Sequence, residues 1–140
     1  MLASALRRRR AHADDRGAAA VEMALVLPLL ILLVFGIIQF SIVYNRVQGL
    51  HAAAREGARA ASLPTTTSGD VTTRVNSALQ GVLPAGAPRT VSVSPGGSKP
   101  CQGRSGQSVT VTVQSDYALD IPLFGSRALT LKGRGEFRCE

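Results

Sequence analysis

From Met23 to Asn45 the chain has no charged side chain for 23 consecutive positions, and this run constrains the fold more than any other feature. Its densest part reads Met23-Ala-Leu-Val-Leu-Pro-Leu-Leu-Ile-Leu-Leu-Val-Phe-Gly-Ile-Ile38. About 20 apolar residues cross a bilayer core of about 30 Å as a helix. A helix is the only single segment that satisfies its own backbone there. The rival is a core helix of a soluble domain, and the rest of this 140-residue chain is too small to cover one. Pro28 removes one helix hydrogen bond and frees the carbonyl of Ala24, so a kink is expected at that point. Membrane helices tolerate proline, so the kink need have no further role.

A cleaved secretory signal has an apolar core of about 7–15 residues followed by a small-residue cleavage site. The run here is longer. The stretch after it, Gln39-Phe-Ser-Ile-Val-Tyr-Asn-Arg46, has no A-x-A-like site. The expectation is therefore a retained single-pass anchor, with membrane lipid as its first partner.

The net charge of +7 is split by the span. Ahead of Met23, five Arg (Arg7, Arg8, Arg9, Arg10 and Arg16) face Asp14, Asp15 and Glu22, leaving +2. From Arg46 on, eleven Lys or Arg face six acidic residues, leaving +5. Five Arg lead into the span, and only Arg46, Arg55 and Arg59 follow it closely. This bias orients the N-terminus to the cytoplasm and the bulk of the chain to the outer side of the cell membrane. A basic chain can also indicate nucleic acid. With 4% aromatics and an Arg cluster abutting a hydrophobic run, membrane orientation accounts for the charge better, and nucleic acid is not expected as a partner.

The segment Arg16-Gly17-Ala18-Ala19-Ala20-Val21-Glu22-Met23 interrupts the apolar run with a carboxylate at its edge. A lone charge in hydrocarbon costs several kcal/mol unless paired or snorkelling. One reading puts Glu22 at headgroup level, complementing the helix dipole. The other follows from a resemblance. A short basic leader, then Gly, four residues, Glu and a long hydrophobic run resembles the type IV prepilin signal. The wider run Arg16–Ile38, with the downstream Ala52-Ala-Ala-Arg-Glu-Gly-Ala-Arg-Ala-Ala61, resembles the TadE-like pseudopilins of tight-adherence (Flp) pilus systems.

The resemblance implies cleavage between Gly17 and Ala18 by a membrane-embedded prepilin peptidase. It also implies pairing of Glu22 with the N-terminal ammonium of a neighbouring subunit, so that both charges are neutralised in an apolar filament core. The implied partners are that peptidase, other pilin or pseudopilin subunits and the pilus assembly platform, and a surface pilus becomes a further destination. Main subunits of such pili carry an aromatic after the Glu and are very short. Met23 and the sizeable C-terminal part indicate a minor component instead, one acting in initiation or capping.

The helix should continue beyond the membrane as a stalk. Val43, Val47, Leu50, Ala54, Ala58 and Ala61 recur at three- and four-residue steps, and Pro64 stops the run. Residues 18–62 would reach about 67 Å. Its small residues suit either close approach of another subunit's helix or packing on the chain's own outer part. The expected organisation is a leader at 1–17, a transmembrane and stalk helix at 18–62 and an extracytoplasmic α+β domain at 63–140.

In that last part, Asp70 or Ser68 can cap a second helix bearing Val71, Val75, Leu79 or Ala78, and Val82. Val91 and Val93, then Val109, Val111 and Val113, then Leu129, Leu131, Gly133, Gly135 and Phe137 alternate with polar residues. This pattern predicts three to four antiparallel strands with one covered face. Cys139 shares the parity of Phe137 and should face the core, and Cys101 lies in the loop Pro95–Gly106. A disulfide between them is expected for a chain outside the cytoplasm, the alternative being two free thiols.

No catalytic, metal or cofactor signature is present. The only histidines are His12 and His51, the cysteines form no CxxC pair, and HExxH, GxSxG and P-loop patterns are missing. Asp116 and Asp120 read as solvating a turn at a strand end. A structural role with no small-molecule substrate is expected. Two further readings stay open: a membrane-anchored module that never enters a filament, and a minor pilin of a DNA-uptake system touching phosphate through Lys132, Arg134 and Arg138.

Overall fold

Good helix formers run from the N-terminal region to Pro64 with no paired breakers, and they form one helix, α1 (Leu2–Ala61). Pro28 lies within it. At its C-terminal end the Ser62 N–H donates to the Ala58 carbonyl at 3.0 Å, and the Ser62 hydroxyl to the Arg59 carbonyl at 2.8 Å. Pro64 then bars another turn. A short helix, α2 (Ser68–Ala78), and three strands follow: β1 (Arg89–Ser94), β2 (Ser108–Ile121) and β3 (Gly125–Arg138). This computed structural model describes the backbone of residues 2–121 and 125–140 and the side chains of residues 17–119 and 125–140. The Arg cluster of the leader lies outside the described side chains. The chain divides into two units, Met1–Ile38 and Gln39–Glu140. The fold class is α+β, with a long apolar helix, a short second helix and an antiparallel sheet.

In the second unit the strands lie in the order β1-β2-β3, every neighbour antiparallel. Val91 pairs with Val113, which pairs with Gly133; Val93 pairs with Val111, which pairs with Gly135. Val109, Val111 and Val113 are fully buried. Against them lie Leu50, Ala53, Ala54, Ala58 and Ala61 of α1, with Val71, Val75 and Leu79 of the α2 region. Of the two uses open to the small-residue face of α1, this is the second: it covers the chain's own sheet, and Val43 and Val47 pack at its edge.

Glycine permits that contact. A Cβ on Gly133 would strike the backbone of Leu50 and His51, and one on Gly135 the backbone of Ala54 and Arg55. Helix and strand thus meet main chain to main chain. The imidazole Nδ1 of His51 lies 3.2 Å from the Arg134 N–H and 3.3 Å from its carbonyl, and accepts from the former in one tautomer.

The structure revises four details. The N-cap of α2 is Thr67, and neither Ser68 nor Asp70 fills that position. The Thr67 hydroxyl accepts from the Asp70 N–H, while the Asp70 carboxylate accepts from the Thr67 N–H at 3.0 Å and its hydroxyl at 2.7 Å. That is a capping box with Asp at its third position. Leu79 is the C-cap, so Val82 packs from the turn beyond the helix.

Both long strands also extend further than the valine pattern indicated, because Tyr117, Leu119 and Ile121 continue the alternation between less strand-prone neighbours. Asp116 is consequently internal to β2, accepting from the Thr130 hydroxyl at 2.8 Å. Leu129 and Phe137 have the parity of the core side but are 39% and 42% exposed, whereas Leu131, Gly133 and Gly135 are buried. The helices cover only the middle of β3.

Candidate membrane and assembly segment

The stretch Gly17–Ala61 contains a window long and apolar enough to cross a membrane, and none of that window is buried. Three consecutive residues, Leu25, Val26 and Leu27, are all exposed, as are Val21, Met23, Leu29, Leu33, Ile37 and Phe40. Consecutive helical positions point about 100° apart, so this helix is apolar all round. A helix at the surface of a soluble core would have one apolar stripe. An apolar solvent is the environment that matches such a surface.

Gly17, Ala18 and Glu22 sit on exposed turns at the start of this stretch. Nothing approaches within 4 Å of the place a Cβ on Gly17 would occupy. From Gly17 to Glu22 the helix rises about 7.5 Å and turns through about 140° beyond one full circle. The carboxylate is therefore displaced from the glycine both along and around the axis. Pro28 lies 11 residues after Gly17 on the same helix.

The far end of the apolar run is ringed by groups that prefer a membrane surface. Phe40 and Tyr44 stack with centroids 6.1 Å apart and an interplanar angle of 18°. The Tyr117 hydroxyl donates to Gln39 Oε1 at 3.1 Å, and the Arg46 guanidinium carbon lies 4.1 Å from the centre of the Tyr117 ring. Tyrosine is enriched at membrane–water interfaces, and long arginine side chains near helix ends reach toward them. The sequence offered one signal for Tyr117: it has the inward parity of Val111 and Val113.

Cys101 and Cys139 form a disulfide with Cα atoms 5.4 Å apart. Around it the Gly106 N–H donates to the Cys139 carbonyl, the Cys139 N–H to Gln107, and the Glu140 N–H to Ser62. The bond therefore fastens the long loop, the end of β3 and the end of α1 to one another. Lys132, Arg134 and Arg138 are exposed, and Arg134 is 3.3 Å from Glu136 in the same row. Among the described residues no three His, Cys, Asp or Glu side chains converge on a point that could hold a metal.

Residues 17–59 match the family described as TadE-like protein, which bears out the resemblance carried by Arg16–Ile38 and the alanine-rich turns after it. The match associates the chain with tight-adherence pili and their components, and the apolar helix marks it as a single-pass membrane anchor. It ends within α1 and does not include the sheet. No curated protein and no solved structure matches the chain significantly.

Proposed function

We propose that this chain, with its TadE-like segment at residues 17–59, is a minor pseudopilin that helps initiate or cap a tight-adherence pilus. The observation that carries the reading is the position of Gly17 and Glu22, five residues apart, directly before an exposed helix that is apolar all round. A peptidase cutting after Gly17 frees the Ala18 ammonium at the cytoplasmic membrane face. Glycine suits that position because it weakens a helix by about 1 kcal/mol relative to alanine, easing the local unwinding that cleavage requires.

In the mature chain Glu22 is the fifth residue. Its carboxylate meets the Ala18 ammonium of a neighbour, and pairing removes two isolated charges from hydrocarbon. Pro28 bends the helix above that contact. Residues 18–62 form the transmembrane and stalk helix, and residues 63–140 the extracytoplasmic domain. The disulfide supports an outer location for that domain, since such bonds persist in oxidising compartments. Glu136, paired with Arg134, breaks the basic row of β3, which weighs against phosphate binding there.

N-terminal sequencing of the protein recovered from membranes tests the proposal. A start at Ala18 is expected, and an intact Met1 would leave a simple membrane-anchored module. Glu22→Ala is expected to reduce piliation while the disulfide-bonded domain stays folded. Undiminished piliation in that variant would remove the pairing role.

A further inference from the structure

The sheet has two edges, and they are finished differently. The Cys139 N–H donates to the Gln107 carbonyl, so the odd-numbered residues of β3 direct their backbone groups to β2 and the even-numbered ones direct theirs outward. Arg134 is one of the latter, and its N–H lies 3.2 Å from His51 Nδ1. The Glu140 N–H, in the same phase beyond the end of the strand, donates to the Ser62 carbonyl at 3.1 Å. Lys132, Arg134, Glu136 and Arg138 add a row of charges along this edge. Cover by a neighbouring element and charged side chains are two ways of closing a strand edge to further pairing.

The same alternation, carried across the sheet, leaves β1 open. Val109, Val111 and Val113 bond to β3, so Thr110, Thr112 and Gln114 bond to β1 through Ser94, Ser92 and Thr90. Arg89, Val91 and Val93 therefore turn their N–H and carbonyl groups away from the sheet. None of these groups has a hydrogen-bond partner among the described residues. The edge reads Arg89-Thr-Val-Ser-Val-Ser94, with no charge after Arg89. Val91 and Val93 are only partly buried, on the face that packs against the core. Arg89 is exposed, has no carboxylate within 4 Å among the described residues, and lines an open cleft of about 510 Å³ with Ser77, Gln80 and Gly86.

We propose that the outer edge of β1 takes an added β-strand from another protein, an extended acidic segment. It pairs with Arg89–Val93, sets apolar side chains beside Val91 and Val93, and brings a carboxylate to Arg89 at the cleft. In this mode main-chain bonds hold the segment and its alternate side chains give selectivity. Charge decides the kind of partner. Residues 46–140 carry eleven Lys or Arg against six acidic residues, so an acidic segment is attracted and a second copy of this domain is repelled. The edge lies wholly within the unit Gln39–Glu140 and acts in the same way whatever assembly the chain joins.

Photo-crosslinking of the full chain in its native membrane tests the proposal. Photoreactive benzoylphenylalanine replaces Thr90, Ser92 or Ser94, all exposed beside the edge, or Thr112 in the middle of the sheet as control. Irradiation should join the three edge positions to one segment of another chain. Peptide mass spectrometry should find the joined residue moving by two along that segment for each step of two along β1, as in a strand ladder. The yield at Thr112 should be several-fold lower. Arg89→Glu should reduce the yield at Ser92 several-fold while the near-ultraviolet dichroism of the purified chain is unchanged. Joining to residues 89–94 of a second copy overturns the choice of partner. A yield at Ser92 no higher than at Thr112, or joined residues scattered without the two-residue progression, overturns strand addition. A ladder indifferent to Arg89→Glu overturns the carboxylate contact.

Discussion

Replacing Gly135 with alanine should loosen the seat of α1 on the sheet. The added Cβ would lie against the carbonyl carbon and oxygen of Ala54 and the nitrogen of Arg55, closer than real Cβ atoms approach. Those are backbone atoms inside a helix, so no side chain can rotate aside, and helix and strand must separate. Overpacking of this kind typically costs about 1–3 kcal/mol. Separation also opens gaps beside Leu50, Ala54 and Val111, all fully buried. An opposing effect is built into the substitution, because alanine narrows the unfolded ensemble and stabilises by about 0.4–1 kcal/mol where its Cβ has room. The net expectation is destabilisation of about 1–2 kcal/mol, or about 5–15 °C in Tm for a folded unit of this size.

The assay is thermal unfolding of the full chain in detergent, followed by near-ultraviolet dichroism. Gly96→Ala is the control, since nothing lies within 4 Å of its added Cβ. A Gly135→Ala protein as stable as the parent, or more stable, would refute the close docking of α1 on β3.

Removing the Cys101–Cys139 bond by double serine substitution opens a loop of 38 residues and should cost about 3–4 kcal/mol, seen as a lower denaturant midpoint that reductant no longer shifts. Thr67→Ala removes the cap of α2 and should cost about 1 kcal/mol in the same titration. Hydrogen bonds from the Thr67 hydroxyl and N–H hold the Asp70 carboxyl below its ordinary value of 3.8. A lowered folded-state value means that this contribution is fully present above the unfolded value and is lost as pH falls through the folded one. Asp70→Asn should therefore flatten the stability profile below about pH 4 and leave its shape near neutrality unchanged. Tyr117→Ala deletes both the bond to Gln39 and the stacking under Arg46, so amide exchange should quicken in residues 116–120 and 126–130 while residues 109–113 keep their protection.

The charge-free run from Met23 to Asn45 determined by itself that a helix forms there and that it suits lipid, because its length and unbroken apolar character settle both without reference to distant residues. The TadE-like segment was legible because its pattern lies along one helix; the roles proposed for Gly17 and Glu22 rest on their spacing within it. The alternating valines of β2 and the glycine-interrupted pattern of β3 likewise announced an antiparallel sheet with one covered face. The ends of those elements were not legible in the same way. Thr67 became the cap because Asp70 closes a box with it. Leu129 and Phe137, matched in parity to the core, stayed exposed because cover depends on where α1 and α2 lie.

Tertiary structure alone decided which partner the small-residue face of α1 takes, since alanines accept a neighbouring subunit and a sheet equally well. The choice rests on Gly133 and Gly135, two positions without a Cβ opposite Leu50 and Ala54, and no local pattern relates residues 83 and 81 positions apart. It also set the reach of the hairpin along α1 to Gln39, because register in a sheet and docking on a helix are settled by packing between distant segments.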